Sequence, residues 1–169
     1  LNKVLIREDS VNRTLVGGEI TSYNFFNNKD LIKPEINRIL AGSNYEQRTI
    51  YDKYDSHGNL TQYHNESNIN TTFLWGYNYS YPIAKIENAT FNSVINDLGI
   101  SYVELQTKNS MELEALCVNL RQNQDERGAL TYSYTYSPLT GITSETSPNG
   151  IKITYEYDDF DRLSNIRDN

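Results

Sequence analysis

One short pattern occurs twice in this chain and constrains its fold more than any other feature. The first copy runs from Tyr51 to Leu60 and the second from Tyr155 to Leu163. Each reads tyrosine, a short spacer, Tyr-Asp, two residues, a turn-forming residue, a polar residue and leucine. A strand, a turn and a returning strand that recur in one chain indicate a repeat architecture built from β-hairpins.

The residues after each Tyr-Asp pair suit a tight turn. Gly58 has no Cβ and can adopt the positive φ that we expect there. Asp161 stands at the same place in the second copy, and aspartate tolerates the left-handed region better than most residues do. We expect Asp55 to accept hydrogen bonds from backbone amides across its turn. Leu60 and Leu163 would then restart the strand and face the core.

Alternating residues predict further strands. Tyrosines alternate with threonine and serine over residues 130–136, and apolar residues alternate with polar ones over residues 151–157. A period of two over such a length is typical of a half-buried antiparallel strand. We expect these two strands to pair directly, with their tyrosine rows stacked across the ladder.

Glycine and proline give more local predictions near the start of the chain. The pair Gly17-Gly18 lies between Leu15-Val16 and Glu19-Ile20 and predicts a hairpin turn within residues 1–26. Residues 32–40 form the next strand candidate, in which Pro34 restricts the start to a sheet edge or a bulge.

Apolar and polar residues do not alternate over residues 88–127. Phe91, Val94, Ile95 and Leu98 follow the spacing of one helix face, and Gly99 ends that helix. Two more short helices are expected, one capped by Ser101 and Glu104 and one starting near Asn109 or Ser110. The fold is therefore predicted to be mainly β, or α+β by content. Its predicted parts are hairpin repeats over 1–87, a helical insertion over 88–127 and hairpin repeats over 128–169.

Charge and hydropathy exclude several classes of partner. The formal net charge is −7 and the isoelectric point is near 4.8, so the surface is unsuited to nucleic acid. The stretch from Val94 to Leu105 resembles a helix-turn-helix in spacing, but its second helix is not basic. No run of about 18 apolar residues exists, and we expect no membrane insertion.

Chemically active residues are few. The single cysteine, Cys117, lies on a predicted helix face and reads as a buried apolar residue. His57 and His64 have no third ligand at metal spacing. The acids Asp158, Asp159 and Asp161 could bind calcium, but the glycine and distal glutamate of a calcium loop are missing. We therefore predict no metal, no cofactor and no enzymatic activity.

Both copies of the pattern resemble the RHS, or YD-repeat, family of large bacterial proteins. The family pattern is roughly Tyr-Asp-x-x-Gly-Arg/Asn-Leu, and the resemblance extends over about residues 45–169. The stretch 132–150 reads as a degenerate copy, with Gly141 one residue late. The matching residues are Tyr54, Asp55, Gly58, Asn59 and Leu60 in the first copy, and Tyr157, Asp158, Arg162 and Leu163 in the second, where Asp161 replaces glycine.

The resemblance implies a structural role. In the family, hairpins wind into a long sheet that forms a shell around a C-terminal effector or a stalk at the cell surface. This chain would be a non-catalytic scaffold or wall segment of a longer exported or surface protein. Its partners would be the remaining YD repeats of the parent chain, and its open sheet edges would favour self-association.

An alternative function is a surface module that binds glycans or a host protein. Residues 71–79 are predicted to form one strand with Phe73, Trp75 and Tyr77 on one face. Aromatic rings beside asparagine and aspartate acceptors suit sugar stacking. Trp75 and Tyr77 are therefore the candidate glycan-binding residues.

Overall fold

The computed structural model describes residues 2–8, 15–26, 31–125 and 127–168. The described part is mainly antiparallel β structure with three short helices, which confirms the predicted fold class. Backbone contacts divide the chain into two compact units, Leu1–Asn70 and Thr71–Asn169.

The first unit is a sheet whose strands follow one another in chain order. Each strand pairs in the antiparallel sense with the next one along the sequence. This order means that every connection within the sheet is a hairpin. The strands are β1 (Asn2–Glu8), β2 (Leu15–Phe26), β3 (Leu31–Ala41), β4 (Asn44–Tyr54) and β5 (Leu60–Asn65).

The predicted hairpin turn at Gly17-Gly18 is wrong. Strand β2 runs through both glycines without a break, and Gly18 lies opposite Ile6 of β1. A Cβ at Gly18 would overlap the hydroxyl of Tyr45 on β4. Gly18 therefore allows close approach of a tyrosine ring to the sheet, which is the other common reason for glycine inside a strand.

The second unit also keeps its strands in chain order. Consecutive strands are antiparallel neighbours, and all three helices lie between β7 and β8. The helical insertion therefore leaves the order of the sheet unchanged. The strands are β6 (Asn70–Gly76), β7 (Tyr81–Glu87), β8 (Leu130–Ser137), β9 (Gly141–Thr146), β10 (Lys152–Tyr157) and β11 (Leu163–Asp168), and the helices are α1 (Phe91–Leu98), α2 (Tyr102–Leu105) and α3 (Ser110–Asp125).

The helices begin and end where their sequence signals lie. Thr90 caps α1 and accepts a hydrogen bond from the backbone N–H of Ser93. Gly99 ends α1 in the left-handed conformation, with φ of 71°. The Ser101 hydroxyl accepts from the Glu104 amide at 3.1 Å, and Asn109 accepts from the first amides of α3. These caps satisfy amides that a helix leaves without internal partners.

The helices cover one face of the sheet and form the core of the second unit with it. Arg121 of α3 donates to the Thr131 carbonyl and to the Ser133 hydroxyl of β8. Because side chains alternate along a strand, Tyr132 and Tyr134 lie on the opposite face. The buried apolar core consists of Leu74, Ile83, Ala84, Ile86, Ala89, Val94, Leu98, Leu105, Leu113, Cys117, Leu120 and Ala129.

The two tyrosine-bearing strands β8 and β10 do not pair, so that prediction is wrong. Strand β9 lies between them and pairs with both, since Ser144 is opposite Thr135 on one side and Thr154 on the other. Residues 141–146 read Gly-Ile-Thr-Ser-Glu-Thr and show no apolar alternation. The sequence signal for a half-buried strand is therefore missing from β9.

Candidate functional site

The turn of the first motif is held by the carboxylate of Asp55. Its Oδ1 accepts from the amides of His57 and Asn59, both at 2.9 Å, and its Oδ2 accepts from the side-chain amide of Asn59 at 3.1 Å. Gly58 has a φ of +82° and donates its amide to the Asp55 carbonyl at 3.0 Å. The Asp55 side chain is buried, with 8% exposure, so these hydrogen bonds replace its contacts with water.

The second motif forms the same turn at the surface. Asp158 Oδ1 accepts from the amides of Phe160 at 2.9 Å and Arg162 at 3.0 Å. The Arg162 side chain donates to Asp158 Oδ2 at 2.9 Å, and Asp161 adopts a φ of 57°. Hydrogen bonds from the Arg162 side chain and backbone hold the pKa of Asp158 below its ordinary value.

Two further turns share this backbone geometry but lack Tyr-Asp. In Asn65–Ile69 and Ser147–Ile151 the amide of the first residue donates to the carbonyl of the fifth, at 3.2 and 3.0 Å. The fourth residues, Asn68 and Gly150, have φ of 60° and 84°. The two predicted copies of the Tyr-Asp motif do not include these two turns. The available signal was a residue such as Asn, Asp or Ser, followed three positions later by Asn, Asp or Gly.

Alternate hairpins carry a β-bulge at the same place, namely β2–β3, β4–β5, β6–β7, β8–β9 and β10–β11. The residue before each bulge lies opposite an aromatic residue on the first strand of the hairpin. For example, Leu60 lies opposite Tyr54, Ile142 opposite Tyr136, and Pro82 opposite Trp75. The bulged residues are Glu35, Thr61, Ile83, Thr143 and Ser164, each skipped in the strand register.

Three of these bulges receive a tyrosine from the following strand. In each, the tyrosine hydroxyl donates to the backbone carbonyl of the residue before the bulge, an arrangement we call the tyrosine–bulge contact. A bulge interrupts the hydrogen bonds of the ladder, and a buried tyrosine hydroxyl needs an acceptor. A single hydrogen bond therefore satisfies both the backbone carbonyl and the hydroxyl. The pairs are Tyr54 with Pro34 at 2.8 Å, Tyr136 with Pro82 at 3.1 Å, and Tyr157 with Ile142 at 2.9 Å.

The residue immediately before the acceptor contacts the tyrosine ring. Lys33 places its Nζ 6.0 Å from the centroid of the Tyr54 ring. Tyr81 stacks on Tyr136, with centroids 4.8 Å apart and planes at 21°. At the third site this residue is Gly141, where a Cβ would lie 2.7 Å from the Tyr157 hydroxyl. The neighbour of the tyrosine ring is thus a cation at the first site, an aromatic ring at the second and a glycine at the third.

Burial changes the acidity of two of these tyrosines, Tyr54 and Tyr136. Burial is the main cause that raises the pKa of Tyr136 to about 12, with a smaller contribution from Tyr134. Burial also raises the pKa of Tyr54, with smaller contributions from Tyr51 and Tyr23. Both hydroxyls are therefore protonated donors throughout the physiological range.

Cys117 is unsuited to nucleophilic chemistry. It is buried on α3, and its Sγ donates to the Ile83 carbonyl at 3.7 Å. Burial raises the pKa of the thiol to about 12, so the reactive thiolate is absent at neutral pH.

The two histidines occupy hairpin positions. His57 lies in the first motif turn, where its Nδ1 is 3.2 Å from the Ser56 hydroxyl. His64 on β5 has its Nδ1 2.9 Å from Asp52 Oδ2, and Gln62 donates to the same oxygen at 3.2 Å. An aspartate that orients a histidine is one part of a catalytic triad, and this geometry alone does not provide a nucleophile.

The clustered acids of the second motif serve the turn. Asp158 is bound to Arg162, and Asp161 Oδ1 accepts from the Thr140 hydroxyl at 2.9 Å. Within residues 2–8, 15–26, 31–125 and 127–168, no group of three or more His, Cys, Asp or Glu residues could hold a metal ion.

Trp75 and Tyr77 do not share a strand face, so that prediction is wrong. Strand β6 ends at Gly76, and Tyr77, Asn78 and Tyr79 all have positive φ, between 51° and 64°. The left-handed run redirects Tyr77, whose hydroxyl accepts from the Tyr136 amide at 3.0 Å and whose ring meets Tyr136 edge-on.

The fold and these contacts place the protein in the class of β-hairpin repeat proteins. The same turn recurs at four connections and the tyrosine–bulge contact at three hairpins, and recurrence of such units is the property of a β-hairpin repeat protein.

Comparison with known families names the class. Residues 136–169 match the family model RHS Repeat. Over those residues the match confirms the resemblance to the RHS, or YD-repeat, family that the motifs indicated. The matched segment includes both Tyr136 and Tyr157, which are 21 residues apart. No curated protein matches the chain.

None of the helices in the described part of the chain combines the length and the apolar character needed to cross a membrane.

Proposed function

We propose that this chain is a structural, non-catalytic segment of a larger exported or surface RHS-like protein, where it acts as a scaffold or wall. The observation that carries this proposal is the tyrosine–bulge contact, which recurs three times with hydroxyl-to-carbonyl distances of 2.8 to 3.1 Å. In each copy the tyrosine hydroxyl donates to the protein's own backbone.

The contact supports a wall function because it determines the register of neighbouring hairpins. A shift of one residue moves every side chain of a strand to the other face. A tyrosine can reach only one carbonyl beside its bulge, so the shifted arrangement loses a hydrogen bond at each hairpin. Repetition of the contact lets many hairpins follow one another without accumulating register errors.

The family match supports the structural part of the proposal. The RHS repeat is a structural repeat, and proteins that carry it are typically extracellular or at the cell surface. Export of this protein, and its place in a shell or stalk, belong to the proposal.

A pair of conservative substitutions on β10 tests the structural function. Tyr157→Phe removes a hydroxyl that donates to Ile142, whereas Tyr155→Phe removes one that is 3.5 Å from a Glu145 oxygen. We expect Tyr157→Phe to lower the free energy of unfolding by about 1 kcal/mol, since it leaves a backbone carbonyl without its donor. We expect Tyr155→Phe to change it by less than about 0.5 kcal/mol.

Urea unfolding of both variants and the parent chain gives the comparison. Equal losses for the two substitutions would show that the contact is incidental and would remove the basis of the proposal.

A glycan array distinguishes the scaffold from the alternative binding module. We expect no specific glycan to be retained. Specific retention that Trp75→Ala abolishes would contradict the scaffold proposal and would establish the binding module instead.

A further inference from the structure

We propose that the outer edge of β11 is a docking site for an antiparallel β-strand that ends in tyrosine, and that Arg162 and the Leu163 carbonyl recognise this tyrosine. The inference rests on the proposed structural function of the hairpins and identifies the chemistry of the partner that such a hairpin accepts.

Strand β11 carries the acceptor half of a tyrosine–bulge contact. Ser164 is the bulged residue, and Leu163, the residue before it, lies opposite Tyr157. The same arrangement at Pro34, Pro82 and Ile142 provides the carbonyl that a tyrosine of the following strand binds. Leu163 is therefore placed beside its bulge in the same way as the three acceptors that bind a tyrosine.

The hydrogen bonds of the turn indicate where the Leu163 carbonyl points. The amide of Asp158 donates to the Arg162 carbonyl at 2.9 Å, which makes these two residues a hydrogen-bonded pair. In an antiparallel ladder the next pair along does not exchange hydrogen bonds, and its polar groups point outward. The next pair is Tyr157 and Leu163, so the Leu163 carbonyl is directed away from β10 and towards an incoming strand.

Arg162 occupies the position that contacts the tyrosine ring in the other copies. The residues at this position are Lys33, Tyr81 and Gly141, each against the ring of its own tyrosine. The Arg162 side chain is 73% exposed, and its guanidinium is 5.3 Å from the centroid of Phe160. A guanidinium already beside one aromatic ring is well placed to stack on a second.

The edge itself is open to a partner strand. Among the described residues β11 pairs only with β10, and all six of its residues are exposed. Two of them are apolar, Leu163 at 52% exposure and Ile166 at 56%. An exposed strand edge with apolar side chains binds another strand through main-chain hydrogen bonds, and side-chain sites provide the specificity.

The spacing within the chain gives a direct test. Tyr157 follows Ile142 by 15 residues. A copy of residues 149–158 fused after Asn169 places its copy of Tyr157 at the same distance after Leu163. The matched control is the same fusion with phenylalanine in place of that tyrosine.

Amide hydrogen exchange of β11, followed by NMR, is the measurement. We expect exchange of the outward amides of β11 to slow by roughly tenfold or more in the tyrosine fusion, because a paired strand protects them. In the phenylalanine fusion we expect roughly three- to tenfold less protection, since the hydrogen bond to Leu163 is missing.

Two arginine substitutions in the tyrosine fusion test the ring contact. Arg162→Gln should reduce the protection roughly two- to fivefold, because the cation beside the ring is lost. Arg167→Gln is the control on the same strand, since Arg167 pairs with Glu156 at 3.1 Å, and it should leave protection unchanged.

The contrary outcomes are equally specific. No protection in either fusion, or equal protection in both, would overturn the inference. Equal protection in the unfused chain at high concentration would assign the edge to a second copy of the chain and would also overturn it.

The outcome is independent of the test of the proposed function. Tyr157→Phe in the unfused chain tests an occupied contact inside the protein. A loss of stability there without protection in the fusions would refute only the docking site.

Discussion

The hairpins β4–β5 and β10–β11 carry the two copies of the Tyr-Asp motif, and their comparison separates the parts of the motif. Both turns close with the same pair of backbone hydrogen bonds, at 2.9 to 3.0 Å. They differ in the residue with positive φ, which is Gly58 in one and Asp161 in the other. They differ also in burial, since Asp55 is buried and the Asp158–Arg162 pair is largely at the surface.

The neighbours of each turn explain this difference. A Cβ at Gly58 would lie 2.8 Å from the side chain of Lys33 and 3.4 Å from that of Leu31. Asp161, by contrast, has room for its own side chain, which accepts from the Thr140 hydroxyl. The backbone bonds determine the turn, and the preceding strand determines which side chains the turn can hold.

The largest expected effect separates the two positions of positive φ. Gly58→Val should lower the free energy of unfolding by about 3 kcal/mol, because a β-branched residue is strained at that φ and meets Lys33. Asp161→Gly should change it by less than about 0.5 kcal/mol, because glycine adopts the same φ freely. Thermal and urea unfolding measure both, and equal losses would contradict the assignment of the turn.

A smaller effect separates the two aspartates. Asp55→Ala should lower the free energy of unfolding by about 2 kcal/mol, because the amides of His57 and Asn59 lose the buried carboxylate that accepts from both. Asp158→Ala should lower the free energy of unfolding by clearly less, since water can reach the amides of Phe160 and Arg162 that lose their acceptor. Urea unfolding of the two variants tests the order. A larger loss for Asp158→Ala would show that burial is not what distinguishes the turns.

The smallest expected effect depends on pH and concerns the second turn alone. Arg162 holds the pKa of Asp158 below its ordinary value of about 3.9. A carboxyl whose pKa is lower in the folded state stabilises the fold above its unfolded pKa, and this contribution is lost as pH falls through the folded pKa.

An NMR titration of the Asp158 carboxyl should therefore give a midpoint below 3.9. The Arg162→Gln variant should titrate at a higher pH. An unchanged midpoint in that variant would show that the arginine is not the cause.

Local features of the fold could be predicted from the sequence with good accuracy. Gly99, Ser101 and Asn109 mark helix ends because capping depends on residues close together in the chain. The Tyr-Asp turns could be recognised for the same reason. Strand β9 could not be recognised, because its residues show no apolar alternation. Its pairing with β8 and β10 is what makes it a strand.

The function of the motif tyrosines shows the limit of such prediction. Sequence reasoning assigned Tyr54 and Tyr157 to the motif but could not supply the acceptors of their hydroxyls. Those acceptors, Pro34 and Ile142, are 20 and 15 residues away, beside bulges that only strand pairing creates. The turn predicted at Gly17-Gly18 was wrong for a related reason. Gly18 lies within a strand and accommodates the Tyr45 ring of β4.

The sequence by itself determined the class of fold, the turns of the two motifs, the helix ends and the RHS-type repeat, because each depends on spacing within about ten residues. The tertiary structure decided the order of strands β8 to β11, the face that the helices cover and the carbonyl that each tyrosine binds. Those features depend on which strands lie side by side. Strand neighbours are selected by the summed hydrogen bonds and packing of whole strands, and no short segment contains that sum.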